Sequence, residues 1–318
     1  MDTLHSLSVD GIRIGLDDAS SEICFVSHAH SDHTEAFRKN RKIIASEETF
    51  VIMGREPQAH HLSMPSLKLH PAGHMLGARQ ISADTEGGKF AYTGDFALHD
   101  SFTAPAAEII KCDALMIDST YCLPSYRFPN RASVLRQMRG FVKENEESII
   151  VFGAYIRGKA QELVRFLNDE CYLAPVVNAP AAKICSHYEK CGVKLDYVAA
   201  GTPEAEEAMR HPFVAIMPSS MVNFQFGSSL SDAYGREVKT AVATGWATVS
   251  KFPVDGAFPL SDHADFKDTM RYIYESGASK VICANSNSEN AAEYLRSIGI
   301  NAVAKGMARP AQTTLAEC

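Results

Sequence analysis

The sequence predicts a layered α/β protein, and three features point to it. The middle of the chain alternates strand-sized apolar runs with amphipathic stretches, as a parallel sheet requires. The first third reads as short apolar segments that each run into a polar cluster: CFVSHAHSDH, FAYTGDF and LMIDSTY. Finally, 46% of the 318 residues are hydrophobic, enough for a large core. No apolar run approaches the ~20 residues that span a bilayer.

The elements follow in order. Ile12 to Leu16, Ile23 to Ser27, Lys42 to Ala45, Lys89 to Thr93 and Ala114 to Ile117 are expected strands, bounded by polar turns. A helix is expected over Asn130–Lys143. Asn130 is its N-cap, and Val134, Leu135, Met138, Phe141 and Val142 share one face. Strand SIIVFGAY, helix GKAQELVRFLN and further αβ units run to about Val242. A strand-like GWATVS, the loop PLSDHADF, a helix to Ser276, strand KVICA and helix SENAAEYLRSIG complete the chain.

Composition excludes several classes. The first residues carry no basic stretch followed by an apolar one, and the eight cysteines form no CxxC pair. Reduced thiols in a cytoplasmic (intracellular) protein are expected, with no membrane partner. Cys185, His187 and Cys191 do not converge at helical spacing, so no metal is expected there. The formal charge of -7 argues against coating nucleic acid by bulk attraction. Yet residues 125–245 hold 14 basic and 13 acidic side chains, so the acidity lies in the outer segments.

Ser27-His28-Ala29-His30-Ser31-Asp32-His33 places three imidazoles and a carboxylate in a loop after an apolar strand. Imidazole and carboxylate suit zinc, and a loop lets alternate side chains converge. Further ligand types occur at similar places: His74, Asp95, Asp118 and His263. His28, His30 and His74 are expected to make one metal site. Asp32, His33 and His263 are expected to make a second, with Asp95 bridging. Seven ligands suit two ions, which can share a hydroxide and clamp a phosphoryl group.

The set resembles the metallo-β-lactamase superfamily, whose ligand motifs His28-x-His30-x-Asp32-His33, His74 and Asp95 match in order. The β-CASP nuclease branch is closer still. Asp118-Ser-Thr-Tyr121 matches its D-x-TY context, and Pro259-Leu-Ser-Asp-His263-Ala-Asp its later histidine loop. Tyr155-Ile-Arg-Gly158-Lys159-Ala-Gln161 matches the opening of its cap. The resemblance, over roughly Val9 to Ala304, is strongest to DNA cross-link repair nucleases and ligase-associated DNA exonucleases. It implies an αββα sandwich in two parts, residues 1–124 and 246–318, with a β-CASP-like α/β cap inserted at 125–245. It also implies a zinc-dependent nuclease with two Zn2+ per chain, Mn2+ or another divalent metal being compatible. The expected reaction is phosphodiester hydrolysis by a metal-bridging hydroxide, from the 5′ end of DNA in repair.

Asp32, Asp118 and His263 are the expected catalytic residues, Asp118 holding the water or a ligand imidazole. Arg127, Tyr155, Gly158, Lys159 and Asn285 are the expected substrate contacts. Gly158 and Lys159 open a helix, where a phosphate can bind. Arg127 begins a basic run, with Arg131, Arg136, Arg139 and Lys143, interleaved with Tyr121, Tyr126 and Phe128. Ser27 is a candidate hydrogen-bond partner for backbone or phosphate, and Asp262 and Asp265 are candidates to orient His263. Trp246 is expected in the core. Asn285 departs from the family, which has His in many RNA-processing members or Val in the DNA-repair branch; its amide can donate to a phosphate. The alternatives are an RNA-processing exo- or endonuclease, a small-molecule hydrolase of thiolesters or lactams, and a non-catalytic nucleic-acid scaffold. DNA is favoured over RNA. The sequence says nothing of the oligomeric state.

Overall fold

The computed structural model describes residues 6–57 and 64–305. These fall into two compact units, one of residues 6–127 with 262–305 and the other of 128–261.

The first unit begins with β1 (Ser6–Val9) and β2 (Ile12–Leu16). Asp10 and Gly11 join them, both at positive φ, as a two-residue hairpin turn demands. Then come β3 (Ile23–Phe25), α1 (Glu35–Arg38), β4 (Lys42–Ile44) and α2 (Glu47–Ile52). The strands form one sheet in the order β1-β2-β3-β4. Next are β5 (Leu67–Pro71), β6 (Arg79–Thr85), β7 (Gly88–Tyr92) and β8 (Ala114–Asp118), the last pairing parallel to β7.

The second unit alternates helix and strand. It holds α3 (Arg131–Glu144), β9 (Ile149–Ala154), α4 (Lys159–Cys171), β10 (Val176–Val177) and α5 (Ala179–Lys190). β11 (Val198–Ala199), α6 (Pro203–Ala208), β12 (Val214–Pro218), α7 (Phe224–Tyr234), β13 (Val238–Ala243) and β14 (Gly256–Phe258) follow. The strands form a parallel sheet, β11-β10-β12-β9-β13-β14. Central β9 is buried along its whole length, as a parallel strand covered on both faces must be. Asn130 caps α3 as expected, and Val134, Met138 and Val142 are its buried stripe.

Two sequence expectations change here. GWATVS is not a strand: Gly245–Thr248 is a 3-10 turn, opened by the Thr244 hydroxyl accepting from the Trp246 N–H. Trp246 is half-buried. The compact unit also runs past Gly245 to Ser261, because β14 pairs with β13 and cannot leave that sheet.

The chain then returns to the first unit with α8 (Phe266–Ser276), β15 (Lys280–Ala284), α9 (Ser288–Ser297) and β16 (Ala302–Ala304). β15 inserts between β16 and β8, giving the sheet β16-β15-β8-β7-β6-β5. Alternation sorts its side chains between two faces. Ile81, Tyr92, Met116 and Ile282 share one apolar cluster with Ile14, Leu16 and Phe25 of the other sheet. On the opposite face Gln80 bonds the Tyr272 hydroxyl of α8. Phe37 and Phe50 of α1 and α2 cover the outer side of the first sheet with Cys24 and Ile43. The result is a mixed α/β layered unit with helices on both outer faces.

The seven described cysteines are free thiols; Cys318 lies outside the described residues. Among the described residues no helix is long and apolar enough to cross a membrane.

Three substitutions test this packing. Gly73 has φ +79, and a Cβ there would lie 2.2 Å from the Ala97 carbonyl oxygen. Gly73→Ala is expected to cost roughly 2 to 3 kcal/mol in denaturant unfolding. In the second unit Glu162 is 2% exposed and binds both Lys159 and Arg131. Glu162→Ala leaves two cations facing each other without it and is expected to cost about 3–5 kcal/mol. Lys159→Met keeps the Arg131 pair, and its loss of thermal stability is expected to be much smaller.

Candidate metal centre

The first unit gathers its polar strand ends at one place. The loop after β3 carries His28, His30, Asp32 and His33. The turn between β5 and β6 carries His74, the residues after β7 carry Asp95, β8 ends on Asp118, and His263 precedes α8. The loops touch closely. Gly94 has φ +55, and a Cβ on it would lie 2.5 Å from Ser27 Cβ. Only glycine permits that approach between the Asp95 turn and the histidine loop.

Asp95 is the point of convergence. Its Oδ2 lies 3.5 Å from His28 Nε2, 3.6 Å from His33 Nε2, 3.7 Å from His74 Nε2 and 3.8 Å from His263 Nε2. His30 Nδ1 lies 2.9 Å from His28 Nε2 and 3.1 Å from His74 Nε2. His28, His30, His74 and Asp95 form one group of possible metal ligands; Asp95, Asp118 and His263 form another. Asp95 belongs to both.

The outward hydrogen bonds fix which nitrogen of each ring faces inward. Ser27 Oγ donates to Asp17 Oδ2 at 2.6 Å, so it accepts from His28 Nδ1 at 2.9 Å. His74 Nδ1 donates to the Asp262 carbonyl at 3.0 Å. The inward Nε2 atoms of neutral His28 and His74 therefore carry lone pairs, and both face His30 Nδ1. Burial holds the His28 and His74 rings well below the usual imidazole range, which keeps them neutral. Converging lone pairs around a carboxylate oxygen make a donor set that fits a divalent cation.

His33 and His263 differ. His33 Nδ1 contacts Asp17 Oδ2 at 2.8 Å, and His263 Nδ1 contacts Asp118 Oδ2 at 2.7 Å. Burial opposes their protonation, but the facing carboxylates outweigh it. Asp95, Asp17 and Asp32 raise His33 well above its ordinary value, and Asp118 with Asp95 raises His263 to about 9. Asp95 itself is pushed up to about 7, first by burial and then by Asp118, against the pull of His33.

The other expected residues fall as follows. The Asp32 side chain is 77% exposed, with Oδ2 3.5 Å from His33 Nε2. Both oxygens of Asp118 are engaged. Oδ2 meets His263, and Oδ1 accepts from Thr120 N and Thr120 Oγ1. This places Asp118 behind His263, holding that ring. Asp265 caps α8 by accepting from the Asp268 N–H. Arg127 is exposed and stacks over Phe266 at 5.7 Å, while Tyr121 packs edge-on against His263.

Three expected phosphate contacts are spent elsewhere. Lys159 is 4% exposed, with Nζ 2.6 Å from Glu162 Oε2. The Gly158 N–H donates to Gln161 Oε1 at 2.9 Å, which closes the start of α4. Asn285 Nδ2 donates to Asp95 Oδ1 at 2.6 Å and to Asp118 Oδ1 at 3.2 Å. Tyr155 is 41% exposed on the second unit. Of the basic run, Arg131 and Arg139 pair with Glu162 and Glu170.

Sequence reasoning missed Asp17. It is buried and accepts from Ser27 N, Ser27 Oγ and the Tyr92 hydroxyl as well as meeting His33. It thus holds His33 directly and His28 through Ser27. The signal was present: Asp17 immediately follows an apolar strand, like the ligands themselves. It also sits at φ +55, where Asp is tolerated more readily than most residues.

Asp17→Asn replaces an acceptor with an amide among donors. Metal affinity, measured by competition with a chelating dye, is expected to fall about 10- to 100-fold. Unchanged affinity would show that Asp17 does not orient the ligands.

No family model matches the chain. It is 30% identical over 305 residues to a probable DNA ligase from Opitutus terrae, covering 89% of this chain and 28% of the ligase. It is 23% identical to an RNase J-like protein from Methanocaldococcus jannaschii, covering 81% of this chain and 79% of that protein. It is 25% identical to the 5′ exonuclease Apollo of Gallus gallus, covering 80% of this chain and 56% of Apollo. The chain therefore spans less than two thirds of the ligase and of Apollo. A crystal structure of a protein of unknown function from Enterococcus faecalis V583 shares the fold at a TM-score of 0.56 and 14% identity, covering 82% of this chain and 74% of that one. The chain is thus similar to a 5′ exonuclease, an RNase J-like protein and part of a probable DNA ligase, and its ordered ligand motifs resemble those of the β-CASP branch of the metallo-β-lactamase superfamily.

Proposed function

We propose that the chain is a metal-dependent nuclease that hydrolyses phosphodiester bonds of DNA from a 5′ end, in repair. The observation that carries this reading is the single Asp95 oxygen within 3.5–3.8 Å of four imidazole nitrogens. DNA is favoured because a 5′ exonuclease and a DNA ligase are among the relatives. The RNase J-like relative supports the second reading, an RNA-processing exo- or endonuclease. In this reading the first unit is an αββα metallo-β-lactamase sandwich, and residues 128–261 are its inserted β-CASP cap.

Two zinc ions are the proposed cofactor. His28, His30 and His74 with Asp95 hold one; Asp95 and His263, with His33 and Asp32, hold the other. When bound, such a pair supplies Lewis acidity to a phosphoryl oxygen and lowers the pKa of water toward ~7, providing a nucleophile at neutral pH. The chain's own residues set the geometry. Asp17 and Ser27 hold the rings of His33 and His28, and the Asp262 carbonyl holds His74. Asp118 fixes the Nδ1 proton of His263 and leaves Nε2 aimed at Asp95. Asp32, exposed beside His33, is held well below the usual carboxylate range by that ring and so stays an ionised oxygen donor. Arg127, placed over the Phe266 ring, offers a guanidinium to a phosphate.

The test uses metal-loaded protein and single strands of DNA and RNA labelled at either end, beside His30→Ala. The expected result is shortening of DNA from its 5′ end, lost in His30→Ala. Preferential cutting of RNA would move the protein to the second reading. Intact strands with hydrolysis of a thiolester or a lactam would overturn both. Elemental analysis is expected to give two zinc ions per wild-type chain.

A further inference from the structure

We propose that Asn285 is a positioning residue, which fixes the Asp95 carboxylate so that one oxygen alone faces the histidines. The proposal rests on the reading of Asp95 as a shared metal ligand.

The placement follows from the sheet. β15, β8 and β7 are neighbouring parallel strands, and Ala284 at the end of β15 pairs with Asp118 at the end of β8. The residue after Ala284 therefore lies beside Asp118, and one strand further along is the turn bearing Asp95. Asn285 enters this position at φ +66, a left-handed conformation that asparagine tolerates better than most residues. Its amide nitrogen spans the two carboxylates, 2.6 Å from Asp95 Oδ1 and 3.2 Å from Asp118 Oδ1.

The consequence is directional. A carboxylate free to turn about its terminal torsion offers either oxygen to a cation, or both together. With Oδ1 engaged by Asn285, Asp95 presents Oδ2, the atom nearly equidistant from four imidazole nitrogens. The second amide contact ties this setting to Asp118, which holds His263 through its other oxygen. Asn285 thus couples the shared ligand to the support of one of the rings. The two carboxylates are 6% and 3% exposed, so an oxygen there left without a donor carries a desolvation cost.

The experiment compares Asn285→Gly and Asn285→Asp with the wild-type chain, using Co2+ and Zn2+ as probes. Gly suits the left-handed backbone and deletes the amide. Asp keeps the side-chain shape and replaces the donor by an acceptor. Co2+ is followed by its visible absorption and Zn2+ by calorimetry, with thermal unfolding of the metal-free proteins as a fold control. Both variants are expected to bind one ion about 10- to 100-fold more weakly and to change the Co2+ spectrum at saturation. A purely backbone role predicts that Asn285→Gly keeps wild-type affinities and spectrum, and that result would overturn the proposal. The underlying reading fails separately: Asp95→Ala would then bind both metals as the wild type does.

Discussion

The centre depends on one buried carboxylate oxygen. Asp95 Oδ2 faces four imidazole nitrogens at nearly equal distances. Imidazoles crowded around a point do not pack for apolar reasons. Each ring has two nitrogens, and only one can face the centre. The other must find a partner in the protein wall, or remain a buried polar atom without one. The wall around the site is built to that requirement. Asp17 serves His33 and, through Ser27, His28; a backbone carbonyl serves His74; Asp118 serves His263.

The layered architecture makes such a wall affordable. Parallel strands run their carboxyl ends to one edge, where loops are free of ladder geometry and polar side chains can collect. Below that edge the inner face is apolar, with Phe25 and Tyr92, while the outer face carries buried Gln80, which accepts from the Tyr272 hydroxyl of α8. Tyr92 joins the two regions. Its ring packs edge-on against Phe25 in the core, while its hydroxyl donates to Asp17. A change in the sheet packing thus reaches the clustered imidazole rings through one side chain. Lys305, at the end of the described chain, lies over the same ring and bonds the Leu16 carbonyl, one residue before Asp17.

The layered fold class, and the gathering of the candidate ligand residues at one place, were legible because both follow a periodic signal. Apolar strands announce where polar clusters must emerge, and His28, His74, Asp95, Asp118 and His263 all stand at such points. Asp17 stood at one too, but a lone acidic residue after a strand is indistinguishable in sequence from a solvated turn. The reading of Lys159 failed for another reason. A lysine at a helix start suggests a phosphate, but Glu162 lies one turn further on the same face. Sequence spacing allows that pair without saying that both ends are buried. The turn at Gly245–Thr248 reads as a strand only by composition; the Thr244 hydroxyl, two residues before Trp246, redirects the chain. Asn285 was assigned a phosphate because its donors were counted without the two acceptors beside it, which come from positions 95 and 118.

The same accounting changes the meaning of the net charge. A formal value of -7 suggests a surface that repels polyanions. Yet Asp17, Asp95 and Asp118 are buried, and each is surrounded by donors. Their charge is answered locally and is not displayed to solvent. The cations divide likewise. Lys159 and Arg131 spend their charge on Glu162, and Arg139 faces Glu170, so the basic run is less basic than its sequence. Arg127, by contrast, stays exposed on an aromatic face, and its charge acts outward. An anion approaching the first unit therefore meets this guanidinium and the clustered imidazoles, with little net attraction from the rest of the chain. Under the proposed function, selectivity for a chain end or a particular strand would come from contacts at the site, because the bulk field does not supply it.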